Sequence, residues 1–261
     1  PTDLCQINDL MRIALILMIS FEIVMSGMRK NKESPIKLTE TQADSLISVL
    51  PSLRIHRNDF TFIEDPYFKH SVGGQNIKAE TRVGVKYDSL YLYVHFECRN
   101  NPRLDQNFYT TDNSAMFNQE IFELFISQGP VSAEKYLEIE LNPNNALFLG
   151  KVTNRLKTDG YFNVEQLNTK ASGVKHKVKK DQLTDTWIGE LQIPFDLINS
   201  SNVNSNKVFR LNFYRIISME DHFEPEWKVS PENAIFGCWS STMTKKPQFH
   251  VPDRFGFLYL D

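Results

Sequence analysis

Cysteine is scarce: three residues in 261, Cys5, Cys98 and Cys238. So few exclude a scaffold stapled by several disulfides and a four-cysteine zinc site. A basic excess is also missing. Twenty-nine Lys and Arg stand against 32 Asp and Glu, a formal net charge of −3, so phosphate neutralisation cannot drive binding and no nucleic-acid partner is expected. There is no glycine-rich phosphate loop; Gly73-Gly74 is an isolated pair of the kind that makes a turn. HExxH, CxxC and GxSxG do not occur. None of the six histidines, His56, His70, His95, His176, His222 and His250, has a second histidine at metal-ligand spacing. Internal repeats and low-complexity linkers are absent after residue 50.

What is present is a folded-domain composition: 41% hydrophobic, 12% aromatic and 23% charged, with nineteen phenylalanines suited to sheet packing. The chain opens on Pro1 rather than Met, which reads as a processed product, a fragment, or translation begun upstream of the true start. Met11-Arg12 followed by Ile13 to Ile19, with Ser26-Gly27 beyond, has the layout of a secretory signal. Val24 to Met28 is similar to a lipoprotein processing box, with Met28 where the lipidated cysteine would stand. A membrane span and a buried helix are the alternatives; a span needs about 20 apolar residues, and Glu22 interrupts this run. Residues 1–34 are therefore set apart as a signal-like or membrane-proximal segment. The expected location is exported (periplasmic, cell-surface or extracellular), with membrane contact only through this segment if it is uncleaved.

Thr39 to Leu50 has helical character; beyond it the period becomes two. Thr81, Val83, Val85 and Tyr87 alternate with Arg82, Gly84 and Lys86, and Leu90, Leu92, Val94 and Phe96 with Tyr91, Tyr93 and His95. The same alternation recurs at Leu137–Leu141, Val174–Val178, Trp187–Ile193, Phe209–Phe213 and Phe255–Tyr259. Such runs are strands with one buried face. Turn signals separate them at Tyr87-Asp88-Ser89, Asn142 to Asn145 and Asn199 to Asn206. With no strand–helix alternation, the pattern predicts an all-β domain over residues 50–261, a single antiparallel β-sandwich of jelly-roll type.

Glu138 and Glu140 are two apart on a strand and share a face. They could form a glycosidase pair, a calcium site, a set of acceptors for sugar hydroxyls, or a solvated polar face. Glu123 lies between Phe122 and Leu124; a charge there requires a polar partner, with Arg215 or a ligand as candidates. Cys98 and Cys238 could pair in an exported protein. Trp187 belongs to a buried strand face. Trp227 and Trp239 sit in loop-like sequence, either as sugar platforms or as pins for long loops. The turn-rich stretch Asp105 to Asn113 offers oxygen ligands for a structural calcium, the one cofactor considered.

Six motifs come in order: Asp88 to Val94, Asn118 to Ile126, Tyr136 to Pro143, Trp187 to Phe195, Arg210 to Arg215, and Phe249-His-Val-Pro-Asp-Arg-Phe-Gly256. Together, from about His56 to Asp261, the chain resembles the family 9 carbohydrate-binding modules, particularly the family 9-like proteins of Bacteroidetes-type bacteria. The resemblance implies a β-sandwich that binds a glycan and works beside a glycoside hydrolase. It also implies a sugar clamped between two aromatic rings, at the positions of Phe117 and Phe249. The family's acid corresponds to Glu123, its polar strand contacts to Glu138 and Glu140, and a further contact to Tyr214. His250, next to Phe249, could hydrogen-bond a hydroxyl or anchor the final loop.

Three functions are expected from these features. The first is non-catalytic binding of a poly- or oligosaccharide in support of glycan degradation. The second is a glycoside hydrolase using Glu123, Glu138 or Glu140. The third is a structural or interaction sandwich whose sugar site has degenerated.

Overall fold

The computed structural model describes residues 50–157, 161–198, 207–221 and 228–261. The signal-like segment 1–34, the helical stretch as far as residue 49 and the turn at Asn199 to Asn206 lie outside the described residues, as does Trp227. Fourteen strands follow in order: β1 (Ser52–Ile55), β2 (Thr61–Phe62), β3 (Tyr67–His70), β4 (Asn76–Tyr87), β5 (Tyr91–Cys98), β6 (Ile121–Gln128), β7 (Lys135–Leu141), β8 (Leu147–Thr153), β9 (Asn163–Gln166), β10 (Lys175–Asp181), β11 (Thr186–Pro194), β12 (Val208–Ser218), β13 (Ala234–Cys238) and β14 (Gly256–Leu260). Helical structure among the described residues is confined to short 3-10 turns such as Leu104–Gln106 and Met116–Asn118.

The strands form the two layers of a β-sandwich. One layer runs β10-β11-β5-β4, with β2 added to β4. The other runs β3-β13-β12-β6-β7-β8-β9, with β14 on β12 and β1 on β14. The twelve residues of β4 serve both layers: Asn76 and Glu80 pair with β3, Thr81 to Tyr87 with β5. The ladders are antiparallel except that β1 runs parallel to β14. Leu90, expected in a strand, lies in the turn before β5, where Asp88 Oδ1 accepts the N–H groups of Leu90 and Tyr91.

The inner faces meet in one apolar core. Val83, Val85, Val94 and Phe96 from the first layer pack with Phe122, Leu124, Ile139 and Phe213 from the second. Phe96 stacks on Phe122 with centroids 3.8 Å apart and meets Trp187 edge-on at 5.0 Å. Gly189 has no side chain because the Phe96 ring occupies that space; a Cβ there would come within 2.1 Å of it.

One ion pair lies at the same depth. Arg215 Nε donates to Glu120 Oε1 at 2.9 Å, and both side chains are fully buried. Trp187 Nε1 donates to the same oxygen at 3.0 Å, and Arg215 Nη1 donates to the Glu80 carbonyl. Arg215 is therefore the partner of Glu120, not of Glu123. The register explains the difference: Glu123 lies opposite Tyr214, and Arg215, one residue on, projects to the other side of the sheet.

The possible Cys98–Cys238 disulfide is also corrected. Both cysteines are free and buried. Cys98 belongs to the inner core, whereas Cys238 lies in a second apolar cluster on the outer side of β12 and β13. A layer of backbone separates the two clusters, and burial pushes both thiol pKa values up.

Two outcomes are expected. Arg215→Met strands the Glu120 charge and should cost about 3–5 kcal/mol in denaturant unfolding. Adding Glu120→Gln, which keeps an acceptor for Trp187 and removes the charge, should recover part of that loss; no recovery would show that the pair is not the source. In peptide-mapped thiol labelling, Cys98 and Cys238 should be inert in the folded protein and should label in denaturant without reductant. Failure to label there would mean a disulfide.

Candidate functional site

The centre of the second layer, β6, β7 and β12, is unusual in being buried on both sides. On its outer face Phe125, Tyr136, Phe148, Tyr214, Ile216 and Phe249 form the apolar cluster that holds Cys238. Three carboxyl groups sit within this face. Glu123 on β6 is directly opposite Glu140 on β7 and Tyr214 on β12, while Glu138 is opposite Phe125. The three are only 3%, 4% and 2% exposed for Glu123, Glu138 and Glu140. One carboxylate oxygen from each lies within 4.8 Å of the others. The shared face of Glu138 and Glu140 is as the alternation requires, but it is buried rather than solvated.

The described residues bring no lysine or arginine ion pair to this cluster. Burial, together with the Glu138 charge, holds Glu123 well above the usual carboxylate range. Burial and both neighbours do the same for Glu140. Glu138 is pushed up to about 8 by burial, with a hydrogen bond from Glu140 pulling it back. Glu138 Oε2 and Glu140 Oε2 find no N–H or hydroxyl donor, so the two carboxyls satisfy one another only by sharing a proton. Their oxygens are the donor type a hard cation takes. Among the described residues they form the candidate group for such an ion. In the Asp105–Asn113 stretch, Asp112 is engaged otherwise: Oδ1 accepts the Leu147 N–H and Oδ2 the Thr169 hydroxyl.

His250 closes the cluster from above. Its Nε2 is 3.7 Å from Glu138 Oε1, and its Nδ1 is 2.9 Å from the Tyr136 hydroxyl. Burial drops the imidazole pKa to about 3, so at neutral pH a neutral ring faces a protonated Glu138 and the contact is not an ion pair. Phe162 stacks on His250 at 3.6 Å. Tyr214 is fully buried; its hydroxyl donates to the Phe249 carbonyl, and the two rings stack at 4.4 Å.

The residues singled out from sequence therefore divide. Glu123, Glu138, Glu140, Tyr214, Phe249 and His250 come together on one face. Phe117, in the turn Met116–Asn118, is 46% exposed, whereas Phe249 is buried. Trp239 is not an open platform: it follows Cys238, points to the other side of the sheet, packs against Phe213 and fills the space above Gly256. Phe125, Tyr136 and Phe162 were not foreseen; Phe125 could have been read from its place two residues after Glu123, Phe162 from no pattern at all.

The fold is a two-layer sandwich with a ring-lined, carboxyl-bearing outer face. The sequence pattern of carbohydrate-binding family 9 matches residues 78–260, and the chain belongs to that family. Over 197 residues it is 28% identical to an "Extracellular protein" from Arthroderma benhamiae, covering 72% of this chain and 82% of that one. Its fold is similar to a candidate carbohydrate-binding protein from Bacteroides uniformis (TM-score 0.59, 16% identity, 80% of this chain and 99% of that one). It is also similar to a family 9 module from Caldicellulosiruptor kristjanssonii solved with cellotriose (TM-score 0.50, 12% identity, 81% and 94%).

The buried acids carry a pH signature. The folded-state pKa of Glu138 is raised, so its stabilising effect is complete below about pH 4.5 and is lost as pH rises through about 8. The thermal midpoint should fall across that window, and Glu138→Gln, which cannot ionise, should flatten the fall. An unchanged slope would show that Glu138 is not the source of the fall.

Proposed function

We propose that this chain is a non-catalytic carbohydrate-binding module, exported from the cell, that holds a glycan while a glycoside hydrolase acts on it. The observation that carries this reading is the cluster of Glu123, Glu138 and Glu140, in which Glu138 Oε2 and Glu140 Oε2 lack a hydroxyl or N–H donor. A sugar presents a ring of hydroxyl donors around an apolar face, which matches acceptors set among aromatic rings. Family membership and the cellotriose complex of the Caldicellulosiruptor relative support the same ligand class. The name of the Arthroderma relative supports export. Hydrolysis is less well served: a glycosidase places its acids on opposite sides of the scissile bond, and these three crowd together on one sheet face.

One observation favours a second reading, a structural or interaction sandwich. Phe249 is stacked on Tyr214, and His250 is under Phe162, so the protein's own rings cover the acids.

The full chain should be tested against soluble oligosaccharides and insoluble polysaccharides, with released reducing sugar assayed in the same samples. The expected result is binding without release, weakened about tenfold or more, some 1.4 kcal/mol, by Glu123→Gln or Phe117→Ala in a folded protein. No binding to any glycan favours the covered-site reading, and released sugar makes the chain an enzyme.

A further inference from the structure

The outer face of the first layer is built differently. Its ladder rows place Lys175, Gln192, Tyr93 and Lys86 side by side, and in the next row Lys177, Glu190, His95 and Gly84, with Phe62 beyond. All of these but Gly84 and Phe62 line, with Phe60, an open cleft of about 330 Å³, at the lower end of the size range of small-ligand sites. Phe60, 41% exposed, borders it, and Phe62, 51% exposed, lies next to Phe60 with ring centroids 6.3 Å apart.

The rings are held in place. Phe62 lies against Gly84, where a Cβ would come within 2.7 Å of it, and it meets His95 edge-on at 6.4 Å. Lys86 Nζ sits 4.6 Å above the Phe60 ring and 5.4 Å from that of Tyr93. Tyr93 is fixed in turn by donating its hydroxyl to Asp88 Oδ2 at 2.7 Å. The cleft thus has aromatic rings beside it and one positioned cation before any ligand arrives.

Its charge runs against that of the chain. Lys86, Lys175 and Lys177 face a single carboxylate, Glu190, although the whole sequence carries −3. No salt bridge among the described residues engages these three lysines. His176 bonds to Asn145, and burial lowers its pKa, so it adds no charge at neutral pH. Aromatic faces suit the C–H side of a sugar ring, Gln192 and His95 suit its hydroxyls, and unpaired ammonium groups suit carboxylates.

We propose that this face is a second binding site, separate from the carboxylate cluster, and that it takes an acidic oligosaccharide of the uronic-acid type. The cluster is acceptor-rich, buried and unsuited to an anion; the cleft is cationic and open. The two sites lie on opposite outer faces of the sandwich, so the protein can hold an acidic and a neutral glycan at once.

The test is NMR titration of the full chain with a galacturonic-acid oligosaccharide, a cello-oligosaccharide of equal length and a short single-stranded DNA. The acidic sugar should shift amides at Phe60–Phe62, Lys86, Tyr93–His95 and Glu190–Gln192. It should not be displaced by saturating neutral glycan, and its affinity should fall at least severalfold between low salt and about 0.3 M salt. Phe60→Ala, and separately the pair Lys175→Ala with Lys177→Ala, should each weaken it about tenfold, some 1.4 kcal/mol, without altering the fold seen by circular dichroism. Absence of shifts with the acidic sugar, shifts centred on Glu123 and Glu138, equal binding of the neutral sugar at the cleft, or stronger binding of DNA would each overturn the proposal. A carboxylate cluster that ignores neutral glycans would sink the earlier reading while leaving this one standing.

Discussion

The buried pair of Arg215 and Glu120 ties the two layers together where they would otherwise part. Arg215 comes from β12 in one layer, and it reaches the Glu80 carbonyl and Thr81 at the point where β4 passes from that layer to the other. Glu120 stands at the mouth of β6 and takes the indole N–H of Trp187 from β11. Four strands are thus fixed by one carboxylate and one guanidinium. Burial disfavours both charges, and each offsets part of that cost for the other, with Trp187 adding a hydrogen bond to Glu120. A hydrophobic replacement could fill the volume, but it would not specify which strand meets which. The stacked rings of Phe96 and Phe122 beside it then complete an interface whose geometry has already been set.

Fixing Arg215 inward fixes its neighbours outward. Tyr214 must face the other side of β12, and through the register so must Glu123 and Glu140. In most antiparallel sandwiches that side meets water. Here the loop residues Met116, Phe249 and Phe255 cover it, and the three acids are enclosed with it. Enclosed acids without cations keep their protons, so the face becomes a neutral, hydrogen-bonding surface at ordinary pH. His250 follows the same logic from the opposite sign: burial strips its proton as it leaves one on Glu138.

Parity along strands was legible from the residues alone. The alternation of Leu137, Ile139 and Leu141 with Glu138 and Glu140 correctly placed two acids on one face, and that of Phe209, Leu211 and Phe213 correctly oriented β12. What covers a face was not legible, because the cover comes from loops 35 to 112 positions away, Phe249 over Tyr214 and His250 over Glu138. Burial of Glu138 depends on His250, and burial of Tyr214 on Phe249. The two cysteines failed for a related reason. β13 is five residues long, with too little alternation to reveal that Cys238 faces outward and Trp239 inward. Arg215 stood as one candidate partner for Glu123 because residue type does not give register; a shift of one residue exchanges the two faces.

The contrast between the two outer faces follows from edge geometry. β9 and β10 both carry mostly polar residues, and β10 is a row of lysines broken by His176 and Val178. An edge strand so charged resists pairing with another sheet. On β10, however, Lys175 and Lys177 also point across β11 toward Tyr93 and His95, so the residues that guard the edge double as one wall of a cleft. The opposite wall is made by Phe60 in the loop before β2, with Phe62 beside it against a bare Gly84. A protecting row of cations and a pair of exposed rings are each ordinary alone. Placed across four strands from one another, with no ion pair between them, they form a surface that discriminates by charge, which the neutral acid cluster on the other layer cannot do.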